Sequence, residues 1–124
     1  MTAAAAATAS PRRPRIYLAG PDVFRPDAPA LFARLKAQCA ALGLEGVAPT
    51  DTQVDTHPGR GSDDDTLAQR IYDGNIALLR QADGVAANLE AFRGLEPDSG
   101  TVFEVGYAIA LGKPVVAYHV PAQS

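Results

Sequence analysis

Four short apolar runs alternate along this chain with three segments whose apolar residues recur at helical spacing. Runs that stop at Gly or Pro and alternate with helices predict a parallel β-sheet joined by right-handed crossovers. The predicted strands cover residues 15–19, 44–48, 84–89 and 114–119, and the predicted helices cover residues 27–43, 66–81 and 98–112. The first strand ends at Gly20 and is expected to be buried on both faces. The sequence therefore indicates one α/β domain with a parallel sheet of about four strands.

The apolar composition predicts a thin hydrophobic core. Hydrophobic residues make up 47% of the 124-residue chain, yet Leu, Ile, Val and Phe together number only 28. A core of that size is marginal for a lone domain, so we expect a second subunit to complete it. The helix residues expected at that interface are Val105, Ile109, Leu111, Leu78 and Leu79. The chain is therefore expected to form a homo-oligomer, a dimer or a larger assembly.

Composition and charge exclude several classes of protein. From Ile16 onward, 8 basic residues stand against 14 acidic ones, so a nucleic acid is not an expected partner. No apolar run approaches the roughly 20 residues that a membrane helix needs. The single cysteine, Cys39, excludes an internal disulfide framework and fits a reducing cytoplasm. Residues 1–14, rich in alanine and free of acids, predict a disordered tail before the domain at 15–124.

Motifs for metals and common cofactors are not found in the sequence. His57, His119 and Cys39 lack the spacing of metal ligands. Gly20 stands alone after the first strand, where a dinucleotide-binding turn would carry three glycines. We therefore expect neither a metal nor a cofactor.

The loops after the predicted strands meet at the carboxyl edge of the sheet, where parallel sheets bind ligands. Residues 20–24, 50–65 and 90–104 all fall there. The last of these holds two carboxylates, Asp98 and Glu104, at the start of the third helix. Two carboxylates flanking one site are suited to glycosyl transfer, because one can attack the anomeric carbon while the other handles the proton of the leaving group.

The position of Glu104 has two interpretations. It lies in the second turn of the helix among Val102, Phe103 and Val105. An ordinary solvent-facing position explains it as well as a catalytic one. If Glu104 instead points into the crevice, the helix dipole is expected to favour its ionised form, as a nucleophile requires. Asp98 or Ser99 is expected to cap the helix.

Four blocks of the chain carry a resemblance to a known family. They are Ile16-Tyr-Leu-Ala-Gly-Pro-Asp-Val-Phe24, the stretch from Asn75 to Leu89, Phe92-Arg-Gly94 with Asp98-Ser-Gly-Thr-Val-Phe-Glu104-Val-Gly106, and Leu111-Gly-Lys-Pro-Val115. Together they resemble the nucleoside 2-deoxyribosyltransferase family over about residues 15–119, and the Asp-x-Gly-Thr-x-x-Glu-x-Gly block is the most specific. The resemblance implies a flavodoxin-like or Rossmann-like α/β fold. It also implies transfer of 2-deoxyribose between nucleobases through a covalent glutamyl–deoxyribosyl intermediate, with no cofactor.

The resemblance also implies roles for individual residues. Glu104 would be the nucleophile at C1′, with Asp98 beside it assisting proton movement. The substrate, a 2′-deoxynucleoside exchanging with a free nucleobase, would be bound by Tyr17, Gly20, Phe24, Gln53, Asn75 and Gly100. Tyr17 and Phe24 can also be read as plain core, Gln53 as an ordinary loop amide and Asn75 as a solvated helix residue.

In one respect the sequence departs from the family pattern. Members continue past the fourth strand with a segment that enters the neighbouring subunit's site, so the domain is expected to be shortened at its C-terminus. Two other functions therefore stay open: hydrolysis of the N-glycosidic bond of deoxynucleosides or deoxynucleotides, and nucleotide binding without catalysis. Asp22 is expected to repel a phosphate and so to disfavour hydrolysis of monophosphates.

Overall fold

The computed structural model describes residues 12–51 and 64–122. The strands are β1 (Arg15–Ala19), β2 (Glu45–Val47), β3 (Gly84–Asn88) and β4 (Val115–Tyr118), and the helices are α1 (Ala28–Ala41), α2 (Asp64–Gln81) and α3 (Ser99–Ala110). Short 3₁₀ turns at Pro21–Phe24 and Pro49–Asp51 follow β1 and β2. Each predicted element is present, with ends displaced by one or two residues. Within the described ranges, no helix is both long and apolar enough to cross a membrane.

All pairings in the sheet are parallel, in the order β2-β1-β3-β4. β1 is central, with Tyr17 in register with Val47 on one side and Val85 on the other. This order places the loops after β1 and β3 side by side at the carboxyl edge, because neighbouring parallel strands end at the same edge. The α/β fold class predicted from the sequence is confirmed.

Both faces of β1 are covered, as predicted. Tyr17 and Ala19 pack with Leu79 of α2 and Ala108 of α3 on one face, and Leu18 packs with Phe32 of α1 on the other. Most other buried apolar residues are small: Ala28, Ala48, Ala82 and Ala87, with Val85. The core is therefore thin, in agreement with the composition.

The prediction that Leu79 lies at a subunit interface is wrong. Leu79 is fully buried in the core and is not free to cover a second subunit, while Leu78 and Val105 are partly buried against that core. Ile109 and Leu111 do remain exposed. An apolar helix residue that was expected to contact a second subunit, Leu79, is instead covered by the sheet of its own chain.

The predicted long loop at 50–65 is described only at its ends, with Asp51 closing a 3₁₀ turn and α2 beginning at Asp64. Gln53 and His57 lie outside the described residues. Most of the predicted tail at 1–14 also lies outside them. Arg12, a residue of the predicted tail, forms a salt bridge of 3.1 Å with Asp83, just before β3.

Candidate active site

A cavity of about 200 Å³ opens at the carboxyl edge of the sheet, between the turn after β1 and the start of α3. Seven of the eight site residues predicted from the sequence contribute to it, and the eighth is Gln53. The lining residues are Tyr17, Gly20, Val23, Phe24, Pro49, Asn75, Asp98, Gly100, Thr101 and Glu104. The fold therefore brings together residues that are up to 87 positions apart.

Asp98 is the N-cap of α3. Its Oδ2 accepts hydrogen bonds of 2.9 Å from both the backbone N–H and the hydroxyl of Thr101, which is itself 1% exposed. Gly100 leaves room for this cap, since a Cβ there would lie 3.3 Å from Asp98 Oδ2. No described residue donates to the second oxygen, Oδ1. The cap therefore fixes the carboxylate at the cavity wall through one oxygen and leaves the other for a ligand.

Glu104 is held by a buried tyrosine. The Tyr17 hydroxyl donates a hydrogen bond of 2.8 Å to Glu104 Oε2. Burial raises the pKa of Glu104, the Tyr17 hydrogen bond opposes that change, and the charge of Asp98 adds to it. Burial and the nearby Glu104 also raise the pKa of Tyr17 above its usual range, so the phenol keeps its proton.

Burial has the largest influence on the ionisation of Glu104. The pKa of its carboxyl is raised, and desolvation is the main cause. The expected effect of the helix dipole on this group stays a prediction. A carboxylate that is poorly solvated and held through one oxygen is a stronger nucleophile, when ionised, than one in bulk water.

A second cavity of about 310 Å³ adjoins the first between α2 and α3. The two cavities share Asn75, Gly100 and Glu104, and the second is otherwise walled mainly by apolar residues: Ala68, Ile71, Tyr72, Ile76 and Phe103. Asn75 Oδ1 is buried and has no hydrogen-bond partner among the described residues. A buried acceptor without a partner costs free energy unless a ligand supplies a donor. Asn75 is therefore suited to contact a bound molecule.

Sequence reasoning missed a polar network beneath the first cavity. The Asn88 side chain donates to Asp22 Oδ1 at 3.0 Å and to Glu90 Oε1 at 3.1 Å, and its own Oδ1 lies 3.1 Å from His119 Nδ1. Asn88 is 2% exposed. The sequence signal that could have revealed this network is Asn88 itself, a polar residue at the end of a strand whose other residues are mostly buried. The network ties together the loops that follow β1, β3 and β4.

Asp22 does not face the cavity, contrary to the expectation that it would repel a bound phosphate. It is 4% exposed and is turned toward Asn88. Burial raises its pKa, against the lowering effect of the Asn88 hydrogen bond. Gly20 makes this packing possible, since its φ is +153° and a Cβ there would lie 2.8 Å from the Asn88 Cβ. The side chain of residue 22 therefore contributes to the fold rather than to the cavity surface.

Another cavity, with a volume of about 690 Å³, lies along the outer strand β2. Its charged residues form pairs with one another, Lys36 with Asp51 at 2.8 Å and Arg15 with Glu45 at 3.2 Å. Within the described ranges, no group of His, Cys, Asp and Glu is arranged to hold a metal ion. The carboxylate pair at the sheet edge is therefore the strongest candidate for chemistry.

Comparison with known proteins relates the chain to one family. The model of the family described as nucleoside 2-deoxyribosyltransferase matches residues 16–124. An uncharacterized protein of Schizosaccharomyces pombe, C191.05c, is 38% identical over 106 residues, 85% of this chain and 49% of that protein. The 5-hydroxymethyl-dUMP N-hydrolase of Mus musculus is 32% identical over 95 residues, 74% of this chain and 49% of that protein. The chain thus spans about half the length of the curated relatives it matches.

Solved structures share the fold. The 2-desoxiribosyltransferase from Leishmania mexicana has a TM-score of 0.69 and 37% identity, covering 85% of this chain and 63% of that one. The 2-deoxyribosyltransferase from Bacillus psychrosaccharolyticus has a TM-score of 0.63 at 22% identity, covering 83% and 70%, and supports the fold alone.

Proposed function

This chain belongs to the nucleoside 2-deoxyribosyltransferase family, as its motifs predicted, and from that membership we propose that it transfers 2-deoxyribose between nucleobases. The observation that carries the proposal is that Asp98 and Glu104 line the same cavity, where Glu104 accepts a hydrogen bond from the Tyr17 hydroxyl. The Glu104 carboxylate is partly buried and anchored by Tyr17, as suits a nucleophile. The other keeps one oxygen uncommitted, as suits proton transfer.

In the first step, Glu104 Oε1 attacks C1′ of a 2′-deoxynucleoside while Oε2 stays bonded to Tyr17. The new C–O ester bond forms as the N-glycosidic bond breaks, and the electron pair leaves on the base nitrogen. In this step Asp98 acts as the carboxylic acid: its Oδ1 delivers the proton to the departing base, which leaves Asp98 as the carboxylate. The products of this step are a free nucleobase and a deoxyribosyl ester of Glu104.

In the second step, a ring nitrogen of an incoming base attacks C1′ of the ester. The C–O bond breaks, its electron pair returns to Glu104 as carboxylate, and the proton of the incoming base passes to Asp98. Both enzyme groups are thereby restored. Asn75 supports binding in both steps, because its buried Oδ1 accepts a hydrogen bond from the bound substrate.

Hydrolysis is the second candidate function. The same ester releases free 2-deoxyribose if water replaces the incoming base, and the mouse relative is named as an N-hydrolase. Asp22 is also buried and turned toward Asn88, so its carboxylate does not face the cavity, where it was expected to oppose a substrate phosphate. Binding without catalysis is disfavoured, because a binding site gains nothing from burying a carboxylate such as Glu104 beside a second one.

One experiment separates the three functions. The protein is incubated with deoxyinosine and adenine, and deoxyadenosine, hypoxanthine and free 2-deoxyribose are quantified by chromatography. Deoxyadenosine formed in step with hypoxanthine supports transfer. Hypoxanthine with free 2-deoxyribose, or release of base from a deoxynucleoside monophosphate in a parallel reaction, would replace transfer with hydrolysis. No product at high enzyme concentration, with binding of deoxyinosine by calorimetry, would leave binding alone.

A further inference from the structure

The loop after β3 holds an arginine in an unusual conformation. The loop is closed by an antiparallel bridge between Ala91 and Pro97 and by a 2.9 Å hydrogen bond from Phe92 N–H to Glu96 O. At its tip Arg93 has φ of +54°, in the left-handed region that an L-residue other than Gly or Asn adopts at a cost. Such a conformation persists where the surrounding contacts hold it.

The Arg93 guanidinium lies over two aromatic rings. Its guanidinium carbon lies 4.6 Å from the centroid of the Phe92 ring and 5.4 Å from that of Phe24. The two rings are themselves stacked, with centroids 5.3 Å apart and planes 24° from parallel. Within the described part of the chain, Arg93 forms neither an ion pair nor a side-chain hydrogen bond. Its contacts are therefore with the rings.

Phe24 connects this stack to the candidate active site. It ends the Pro21–Phe24 turn, forms part of the wall of the cavity that contains Glu104, and is 57% exposed. A ring that exposed, on a four-residue turn, would sample several rotamers if it were not held from outside. Phe92 and Arg93 hold it from the neighbouring loop, the loop that leads to Asp98 and α3.

We propose that Arg93 is a positioning residue that fixes Phe24 as the cavity wall through its contacts with the Phe24 and Phe92 rings, and so sets the affinity for the nucleoside substrate. The inference rests on the proposed function for its kinetic readout. A wall that is already ordered lowers the entropy cost of binding the ligand. Because Arg93 touches no reacting atom, its loss is expected to raise KM and to leave kcat nearly unchanged.

The kinetic test uses Arg93→Lys, which keeps the charge and loses the planar fork, in a deoxyinosine–adenine assay. We expect KM for deoxyinosine to rise about two- to fivefold, the range of an exposed cation–π contact. In a Phe24→Leu background the same substitution is expected to have no further effect. An unchanged KM in Arg93→Lys, a fall confined to kcat, or an equal effect in both backgrounds would overturn the proposal.

A second measurement does not depend on turnover. Arg93→Gly removes the stack and relieves the positive φ, so this variant should fold. Amide hydrogen exchange at Arg25 N–H, bonded to Asp22 O at 3.0 Å, reports opening of the turn. We expect exchange about two- to fivefold faster in Arg93→Gly than in wild type or in the control Arg34→Ala, which removes an exposed cation from α1. Unchanged exchange would refute the positioning of Phe24 by Arg93 even if the wild-type protein transfers deoxyribose. Faster exchange in a protein without turnover would support that positioning and reject only the proposed function.

Discussion

The hydroxyl of Tyr17, at the centre of the sheet, donates a 2.8 Å hydrogen bond to Oε2 of Glu104, on the second turn of α3. Tyr17 is fully buried, so its ring cannot move without disturbing the core. The hydrogen bond occupies Oε2 of the carboxylate, so Oε1 is the oxygen that attacks C1′ in the proposed reaction. The hydrogen bond also partly offsets the burial that raises the pKa of Glu104.

Tyr17→Phe removes that bond and leaves the ring in place. Because the bond lowers the pKa of Glu104, its loss should raise that pKa further, and the acid limb of the pH–rate profile should move to higher pH. At neutral pH we expect kcat/KM to fall by about tenfold or more, typical of a hydrogen bond to a charged group. The measurement is kcat/KM between pH 4 and 8. Tyr118→Phe, which lies outside the cavity, is the control, and an unmoved acid limb would contradict the role of Tyr17.

Glu104→Gln and Glu104→Ala should abolish the covalent intermediate. Loss of the nucleophile is expected to reduce turnover at least about a thousandfold while the fold is retained. Intact-mass spectrometry after addition of deoxynucleoside should detect a deoxyribosyl adduct on the wild-type protein and none on either variant. Glu45→Gln, at the far end of β2, is the matched control and should keep the adduct. A Glu104 variant that retains more than about a tenth of wild-type turnover would exclude Glu104 as the nucleophile.

Asp98→Asn should separate catalysis from helix capping. Asn caps helices about as well as Asp, so the thermal unfolding temperature should change little. The amide cannot donate and recover a proton, so kcat should fall and the pH–rate profile should change. Asp98→Ala should lose the same activity and also about 1 kcal/mol of stability, measured by urea unfolding. An unchanged profile in Asp98→Asn would restrict Asp98 to capping.

Asp22→Asn should stabilise the protein at neutral pH. Burial raises the pKa of Asp22 in the folded state, so its stabilising effect is complete below the unfolded pKa and is lost as pH rises through the folded pKa. Asn stays neutral and can still accept from Asn88. Urea unfolding should show the variant more stable than wild type at pH 7.5, with a smaller difference at pH 4.5. Asp27→Asn, whose carboxylate pKa is lowered by Arg25, should show no such gain.

Self-association is expected to involve the exposed face of α3. Val102 and Ile109, seven positions apart on one side of the helix, are 50% and 62% exposed. Sedimentation velocity at micromolar concentration should show a dimer or larger species, and Ile109→Lys should shift it to monomer. Leu42→Lys, at the end of α1 on the other side of the sheet, should leave the assembly intact. A wild-type protein that sediments as a monomer would contradict the predicted self-association through α3.

Local sequence signals predicted much of the architecture. The helical spacing of apolar residues, the β-prone runs and the Gly and Pro stops predicted four strands and three helices, because those signals act over a few neighbouring residues. Alternation of strand and helix then predicted a parallel sheet and a site at its carboxyl edge. Within the motif that ends at Gly106, the same local reading singled out Asp98 and Glu104.

The tertiary structure decided what those residues contact. The Tyr17–Glu104 bond, the Asn88 network and the stack of Arg93 on Phe24 join segments far apart in sequence, and such pairs depend on strand order and register. The upward pKa shift of Glu104 likewise follows from burial, which is set by every element around a side chain. Leu79 became core instead of interface for the same reason. Periodicity can mark the apolar side of a helix, but only packing determines which of its residues the sheet covers.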